Sequence, residues 1–233
     1  MNARLHGVIP AAGTGLRMAA GIPKQYLRIG GRTLLEISAQ TLLQVPGMAS
    51  LTIALHPEDD RARHLPLLQD SRIAFVTGGK ERADSVLAAL QAIPAAQDEW
   101  VLVHDAARPG LSLTDVQQLV ERVLGPGHGG ILALPVVDTV KRADGEGRVA
   151  ATLERNRLWR AQTPQMFRLG ELTHALQQAL ASGQDVTDEA SAMEMSGHPV
   201  QLVPGSAGNL KVTMPEDLAL AAWYLGAKEG ACG

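Results

Sequence analysis

The chain has 233 residues, of which 45% are apolar, with 21 Lys+Arg against 24 Asp+Glu for a net charge of −3 and a single cysteine. A slightly acidic chain with only three Trp, two Tyr and two Phe excludes bulk electrostatic capture of nucleic acid and a base-stacking platform. Cys232, second from the end, excludes an internal disulfide, a cysteine-based metal site and a prenylation box. No apolar run approaches the ~18 residues of a membrane-spanning helix, and residues 1–10 lack the pattern of a secretory signal. A reducing, cytoplasmic compartment is therefore expected. At about 150 residues per domain, the length fits one or two domains and suffices to bury a large core without staples.

Taken in chain order, residues 5–9 read as a strand entering a Gly-rich loop. Thr33-Leu-Leu-Glu36 is a capping box, in which side chains satisfy free helix amides, and predicts a helix over 34–43. Strands are expected at 50–55 and 72–76. The helical spacing of Val86, Leu87 and Leu90 predicts a helix over 82–92. A strand at 100–104, a helix at 114–123 and a strand at 130–136 follow. Such β-α-β-α alternation implies a mostly parallel sheet covered by helices on both faces. Residues 139–142 and 149–153 then flank Ala143-Asp-Gly-Glu-Gly147, a β-hairpin with a flexible tip. It interrupts the α/β alternation and reads as an arm of one domain spanning 1–233, not as a second domain. A helix at 169–181, a strand at 200–203 and a helix at 215–225 close the chain, with a frayed tail expected from Gly226 onward. Ligands of open parallel sheets bind beyond the carboxyl ends of the strands.

Pro10-Ala-Ala-Gly-Thr-Gly-Leu-Arg-Met18 follows the first strand directly. Small residues let the backbone approach a ligand, and successive amides can cradle phosphate oxygens. Gly13 and Gly15 match the first two glycines of a dinucleotide fingerprint, but its third falls on Met18, and no Gly-Lys-Ser/Thr follows to make a P-loop. On the glycines alone, a tight strand-exit turn explains the segment equally well. Arg17, and Lys24 with Pro23 in front of it, tilt the reading. Two cations beside a backbone cradle suit a triphosphate, whose charge must be offset while phosphorus is attacked. Two solvated surface charges are the alternative.

This run, followed by Pro23-Lys-Gln-Tyr26, resembles the sugar-phosphate nucleotidyltransferases, and among them most the 2-C-methyl-D-erythritol 4-phosphate cytidylyltransferase family of non-mevalonate isoprenoid biosynthesis. The resemblance continues in order through Gly78-Gly-Lys-Glu-Arg-Ala-Asp-Ser85, His104-Asp-Ala-Ala-Arg-Pro109, Asp138-Thr-Val-Lys141, Thr163-Pro-Gln165, Thr187-Asp-Glu-Ala-Ser191 and Asn209-Leu-Lys-Val-Thr213. It spans about residues 7 to 225. It implies an α/β fold with a Rossmann-like nucleotidyltransferase sheet and a projecting β-arm at about 137–157. The reaction it implies is cytidylyl transfer from CTP to 2-C-methyl-D-erythritol 4-phosphate with release of pyrophosphate.

By the same resemblance, Ala11, Ala12, Gly13, Thr14, Gly15, Gly79, Ser85 and Ala106 bind CTP. Cytosine presents an N4 donor and an N3 acceptor, which backbone at Ala11, Ala12 and Gly79 together with Ser85 is able to meet; an ordinary helix-surface serine is the alternative for Ser85. Arg17, Lys24, Arg155 and Lys211 are implied as catalytic. Asp105, Arg108, Thr139, Arg155, Thr163, Thr187 and Lys211 are implied to bind the acceptor. The implied assembly is a homodimer in which the arm carries Thr139 and Arg155 into the neighbouring site; spacing alone does not separate Arg155 from Arg157, and a solvated hairpin is the alternative. The implied cofactor is Mg²⁺, held largely by the CTP phosphates, with Asp105 as a candidate to approach it.

A phosphate monoester nucleophile, with its second pKa about 6, is already largely ionised near neutral pH and requires no general base. That agrees with the lack of any Ser-His-Asp or metal-ligand constellation among the seven histidines; His104 has a ready alternative as a packed, hydrogen-bonded residue. Three rivals remain at this point. A pentitol-phosphate cytidylyltransferase shares the chemistry. A glycosyltransferase of similar fold would carry an Asp-x-Asp, which is absent. A dinucleotide enzyme or non-catalytic nucleotide-binding module would leave Arg17, Lys24 and Lys211 unexplained as a set.

Overall fold

The computed structural model describes residues 3–13 and 22–230, the last four by their backbone alone. The first apolar run forms β1 (Leu5–Ala11). A short antiparallel pair, β2 (Arg28–Ile29) and β3 (Arg32–Thr33), leads into α1 (Leu34–Leu43). The capping box is formed: Glu36 N–H donates to Thr33 Oγ1 at 3.1 Å and Thr33 N–H to Glu36 Oε2 at 2.8 Å. Next come β4 (Met48–Leu55), β5 (Ile73–Thr77), α2 (Arg82–Gln91), β6 (Trp100–Val103), α3 (Leu113–Leu124) and β7 (Gly130–Pro135). The β2–β3 pair has no counterpart in the sequence expectation; every other boundary up to β7 lies within two residues of it.

The arm is present as β8 (Val140–Ala143) and β9 (Val149–Leu153), a separate antiparallel sheet. Asp144 closes its tip, where Oδ1 accepts from Glu146 N–H at 3.0 Å and Arg148 N–H at 2.9 Å. Thereafter the structure adds two elements that the sequence reading lacks. One is β10 (Trp159–Arg168), which precedes α4 (Leu169–Ala181); the other is α5 (Glu189–Met195), which precedes β11 (Gln201–Pro204). The last helix, α6 (Pro215–Gly230), runs five residues past its expected end at 225. Cys232 lies outside the described residues.

Seven strands form one sheet in the order β11-β7-β10-β6-β1-β4-β5. β6 and β4 flank β1 in parallel, β5 continues beyond β4, and β11 lies parallel to β7. Among the described residues of this sheet, β10 alone runs antiparallel, between β6 and β7. The sheet is thus mostly parallel, as the alternation predicted.

Strand residues point alternately to opposite faces, and both faces here are apolar. Leu5 and Ile9 of β1, Leu51 and Ile53 of β4, and Trp100 and Leu102 of β6 pack with α1 and α3 on one side. Val8, Ala54, Val101 and Val103 pack with α2, α4 and α5 on the other. Helices therefore cover both faces. Truncating a buried leucine such as Leu102 to alanine costs about 2–5 kcal/mol in cores of this kind. A smaller cluster (Leu34, Val212 and Ala221) seats α6 against the start of α1 and the loop after β11. That leaves the carboxyl ends of β1, β5 and β6, with their following loops, open on one side.

Candidate active site

A cavity of about 610 Å³ opens at those carboxyl ends. Its floor is Ala11, Ala12 and Gly13 after β1, with Ala106 and Ala107 after β6. One wall is Gly79, Arg82 and Ser85 at the start of α2; Lys24 and Lys211 close it from two further loops. The structure therefore brings together most of the CTP-binding set and the predicted cations Lys24 and Lys211. Thr14, Gly15 and Arg17 lie outside the described residues.

Each loop is fixed by a specific contact. Gln25, buried in the turn that begins at Lys24, donates its Nε2 hydrogens to Ala11 O at 2.8 Å and Gly13 O at 3.2 Å. It fastens the glycine loop to the Lys24 turn, a role that the sequence signalled only through its place in Pro23-Lys-Gln-Tyr26. Ser38 of α1 donates to Ala106 O at 3.1 Å. The Ser85 hydroxyl accepts from Gly79 N–H at 3.1 Å and donates to Glu81 O at 3.1 Å. Ser85 thus holds the Gly79 loop against α2. Gly79 itself admits no side chain, because a Cβ would overlap Asp84.

Asp105 sits at the centre of a charged cluster. Its Oδ1 lies 3.1 Å from Arg82 Nε, while its Oδ2 lies 2.9 Å from Lys211 Nζ and 3.5 Å from Arg108 Nε. Arg82 turns its two remaining nitrogens onto Glu189, at 2.6 Å and 3.1 Å. Burial alone would push the Asp105 carboxyl up, but Arg82, Lys211 and Arg108 outweigh it and hold it well below the usual carboxylate range. Burial likewise disfavours the Arg82 guanidinium, yet Glu189 and Asp105 more than compensate and raise it. Asp105 and Arg82 are therefore both ionised near neutrality.

Behind Asp105, a hydrogen-bond chain fixes one tautomer. His104 Nε2 faces Arg108 O at 3.1 Å, so Nε2 carries the proton. Its Nδ1, 2.9 Å from Thr163 Oγ1, then accepts from that hydroxyl, and Thr163 Oγ1 accepts from Asp105 N–H at 3.0 Å. Burial pushes the His104 imidazole down to about 4. His104 is a neutral structural residue that does not line the cavity. Thr163, buried and committed to this chain, stands behind Asp105 and outside the cavity lining. Arg108 donates to Asn209 O at 2.9 Å and orders the loop that carries Lys211.

Thr139, Arg155 and Thr187 are exposed and lie away from the cavity. Thr139 and Arg155 belong to the arm's base, where Arg155 donates to Val137 O; Thr187 precedes Asp188, the N-cap of α5. Within one copy of the chain these three do not join the cavity residues. A resident metal would have to sit against the Asp105 carboxylate. Three cationic side chains surround that carboxylate within 3.5 Å, and a divalent cation would have to displace them. The residues around Asp105 do not fit a protein-held metal.

A family model for 2-C-methyl-D-erythritol 4-phosphate cytidylyltransferase matches residues 5–227. The chain belongs to that family. A family protein from Ectopseudomonas mendocina is 50% identical over 222 residues, covering 94% of each chain. One from Photobacterium profundum is 50% identical over 229 residues, covering 97% of each. The Francisella tularensis 2-C-methyl-D-erythritol 4-phosphate cytidylyltransferase structure superposes with a TM-score of 0.83 at 35% identity, covering 95% of this chain and all of that one. Among the described residues, no helix is long and apolar enough to cross a membrane.

Proposed function

We infer that the chain transfers the cytidylyl group of CTP to 2-C-methyl-D-erythritol 4-phosphate, forming CDP-methylerythritol and pyrophosphate. The observation that carries this reading is the convergence of Lys24, Gly79, Asp105, Ala106 and Lys211 on one cavity, from four separate segments of a chain that belongs to the cytidylyltransferase family. An acceptor phosphate oxygen attacks the α-phosphorus of CTP. The new bond is oxygen to α-phosphorus, and the bond to the bridging oxygen breaks as pyrophosphate leaves.

What remains for the protein is to align the reacting atoms and offset charge. Lys24, with Arg17, stabilises the transition state and the departing pyrophosphate. Lys211, pinned by Asp105, orients the incoming phosphate, while Arg108 holds the loop that carries Lys211 and Thr163 holds the Asp105 backbone from behind. Backbone at Ala12 and Gly79, held by Ser85, reads the base. No side chain is assigned as a general base, which is consistent with the neutral, buried His104. The divalent cation enters as part of the substrate, a magnesium complex of CTP, with its ligands on the triphosphate.

The reading extends to a cytoplasmic homodimer whose arms deliver Thr139 and Arg155 to the neighbouring copy's cavity. Its support is the free-standing β8–β9 hairpin, whose base and second strand expose Val137 at 71% and Val149 at 66%; unpaired strand edges of this kind favour pairing with another chain. Calorimetric titration with CTP and with NAD separates transferase from dinucleotide enzyme: binding of CTP alone is expected, and preference for NAD overturns the reading.

A further inference from the structure

Arg82 and Glu189 lie 107 positions apart in the chain, and neither has a part in the chemistry described above. Their geometry is nevertheless specific. Glu189 is 1% exposed at the first turn of α5, and both of its oxygens are taken by the Arg82 fork. Arg82, at the first position of α2, has its third nitrogen, Nε, on Asp105 Oδ1 at 3.1 Å. Asp105 is thereby left to present Oδ2 to Lys211 Nζ at 2.9 Å. A planar guanidinium can bridge two carboxylates at fixed angles, which an ammonium cannot.

The charge count sharpens the point. Arg82, Arg108 and Lys211 face Asp105 and Glu189, three cations to two anions. Lys211 has the most exposed side chain of the five, at 38%, so the surplus positive charge is offered where the cavity opens. We propose that Glu189 and Arg82 are positioning residues of the reaction: Glu189 fixes the Arg82 fork, Arg82 fixes the Asp105 carboxylate, and Asp105 sets Lys211 at the point where the acceptor phosphate is received. This rests on the cytidylyl-transfer reading.

The test is steady-state kinetics and thermal unfolding of Glu189→Gln, Arg82→Lys and the double variant Arg82→Met/Glu189→Leu. Replacing a buried ion pair by apolar groups of similar volume is often neutral or stabilising, so the double variant keeps the question open if a single one unfolds. Misplacement by about 1 Å is able to cost about 100-fold in rate. All folded variants are therefore expected to lose roughly 10- to 100-fold in kcat, while CTP binding by calorimetry stays at the wild-type value in Glu189→Gln, whose side chain does not line the cavity. A purely electrostatic role for Glu189 predicts the reverse for Glu189→Gln, since removing an anion near the cavity tightens binding of anionic substrates and leaves kcat in place. Arg82→Lys keeps the charge and loses the fork, so it is expected to behave like Glu189→Gln.

Wild-type kcat and acceptor KM in any folded variant overturn the proposal, as does failure of all three to fold. Absence of turnover in the wild-type protein with CTP and methylerythritol phosphate counts against the cytidylyl-transfer reading itself.

Discussion

Lys211 Nζ lies 2.9 Å from Asp105 Oδ2, which ties the loop after β11 to the loop after β6 at the mouth of the cavity. A lysine on a long flexible stem is poorly placed until something anchors its head group. Here the anchor is a carboxylate with 9% side-chain exposure, itself held by two arginines. The mildly acidic chain thus presents a local cationic surface, with the acids of the cluster buried beneath the cations they hold.

Lys24 lies on the other side of the same cavity. Replacement by alanine removes a transition-state contact, and kcat is expected to fall by about two orders of magnitude or more. Urea unfolding should change little, since Lys24 is only half-buried. Turnover retained in Lys24→Ala removes this residue from the mechanism.

The proposed exchange of arms makes a separate prediction. Lys24→Ala and Arg155→Ala, each inactive alone, are mixed and allowed to exchange subunits. Every mixed dimer then contains one cavity with an intact Lys24 and an intact arm from its neighbour, and partial activity should return. Mixed dimers that form, as shown by differential tagging, and stay inactive contradict the shared site.

Burial pushes His104 down to about 4, against an ordinary value of about 6.5. The folded pKa is the lower one, so the unfolded chain binds the proton first as pH falls. The neutral His104 contributes stability that is fully present above about pH 6.5 and is lost progressively down to about pH 4, on the order of 3 kcal/mol in all. The urea midpoint should therefore drop between pH 7 and pH 5, and drop less in His104→Gln. An equal drop in both proteins contradicts the assignment of a buried neutral imidazole.

Gly110, after Pro109, packs so closely that a Cβ would overlap the Gly208 carbonyl. Gly208 leads into Asn209 and Lys211, so Gly110→Ala should displace the very loop that carries Lys211. A loss of about 1–3 kcal/mol is expected, accompanied by a fall in kcat. Gly145→Ala, at the arm tip with no atom within 4 Å of the new Cβ, serves as the neutral comparison. Equal stability and activity in the two variants exclude this seating of the loop.

What could be read from the sequence follows how local its determinants are. The bounds of α1 match to the residue because its capping box lies within four consecutive positions. The central strands were legible because both faces are apolar. β10 was not, since Gln162, Thr163 and Gln165 break the apolar run; they are buried nonetheless, through bonds to Asn209 O, Asp105 N–H and Asp188 Oδ2. α5 has seven residues, too few for a period to show. Lys24, Gly79, Asp105 and Lys211 could be found because strand-end loops are where parallel sheets bind ligands. The Arg82 to Glu189 link was hidden because it joins the starts of two helices far apart in the chain. Asp105 drew attention as an approach to magnesium, and only the three cations around it reassign it to holding Lys211.

The most direct test is pyrophosphate release measured with each of the four ribonucleoside triphosphates, paired in turn with 2-C-methyl-D-erythritol 4-phosphate and with ribitol 5-phosphate. Release is predicted with CTP and methylerythritol phosphate, and at no comparable rate in any other pairing. Turnover with neither acceptor, or equal turnover with another triphosphate, would contradict the account.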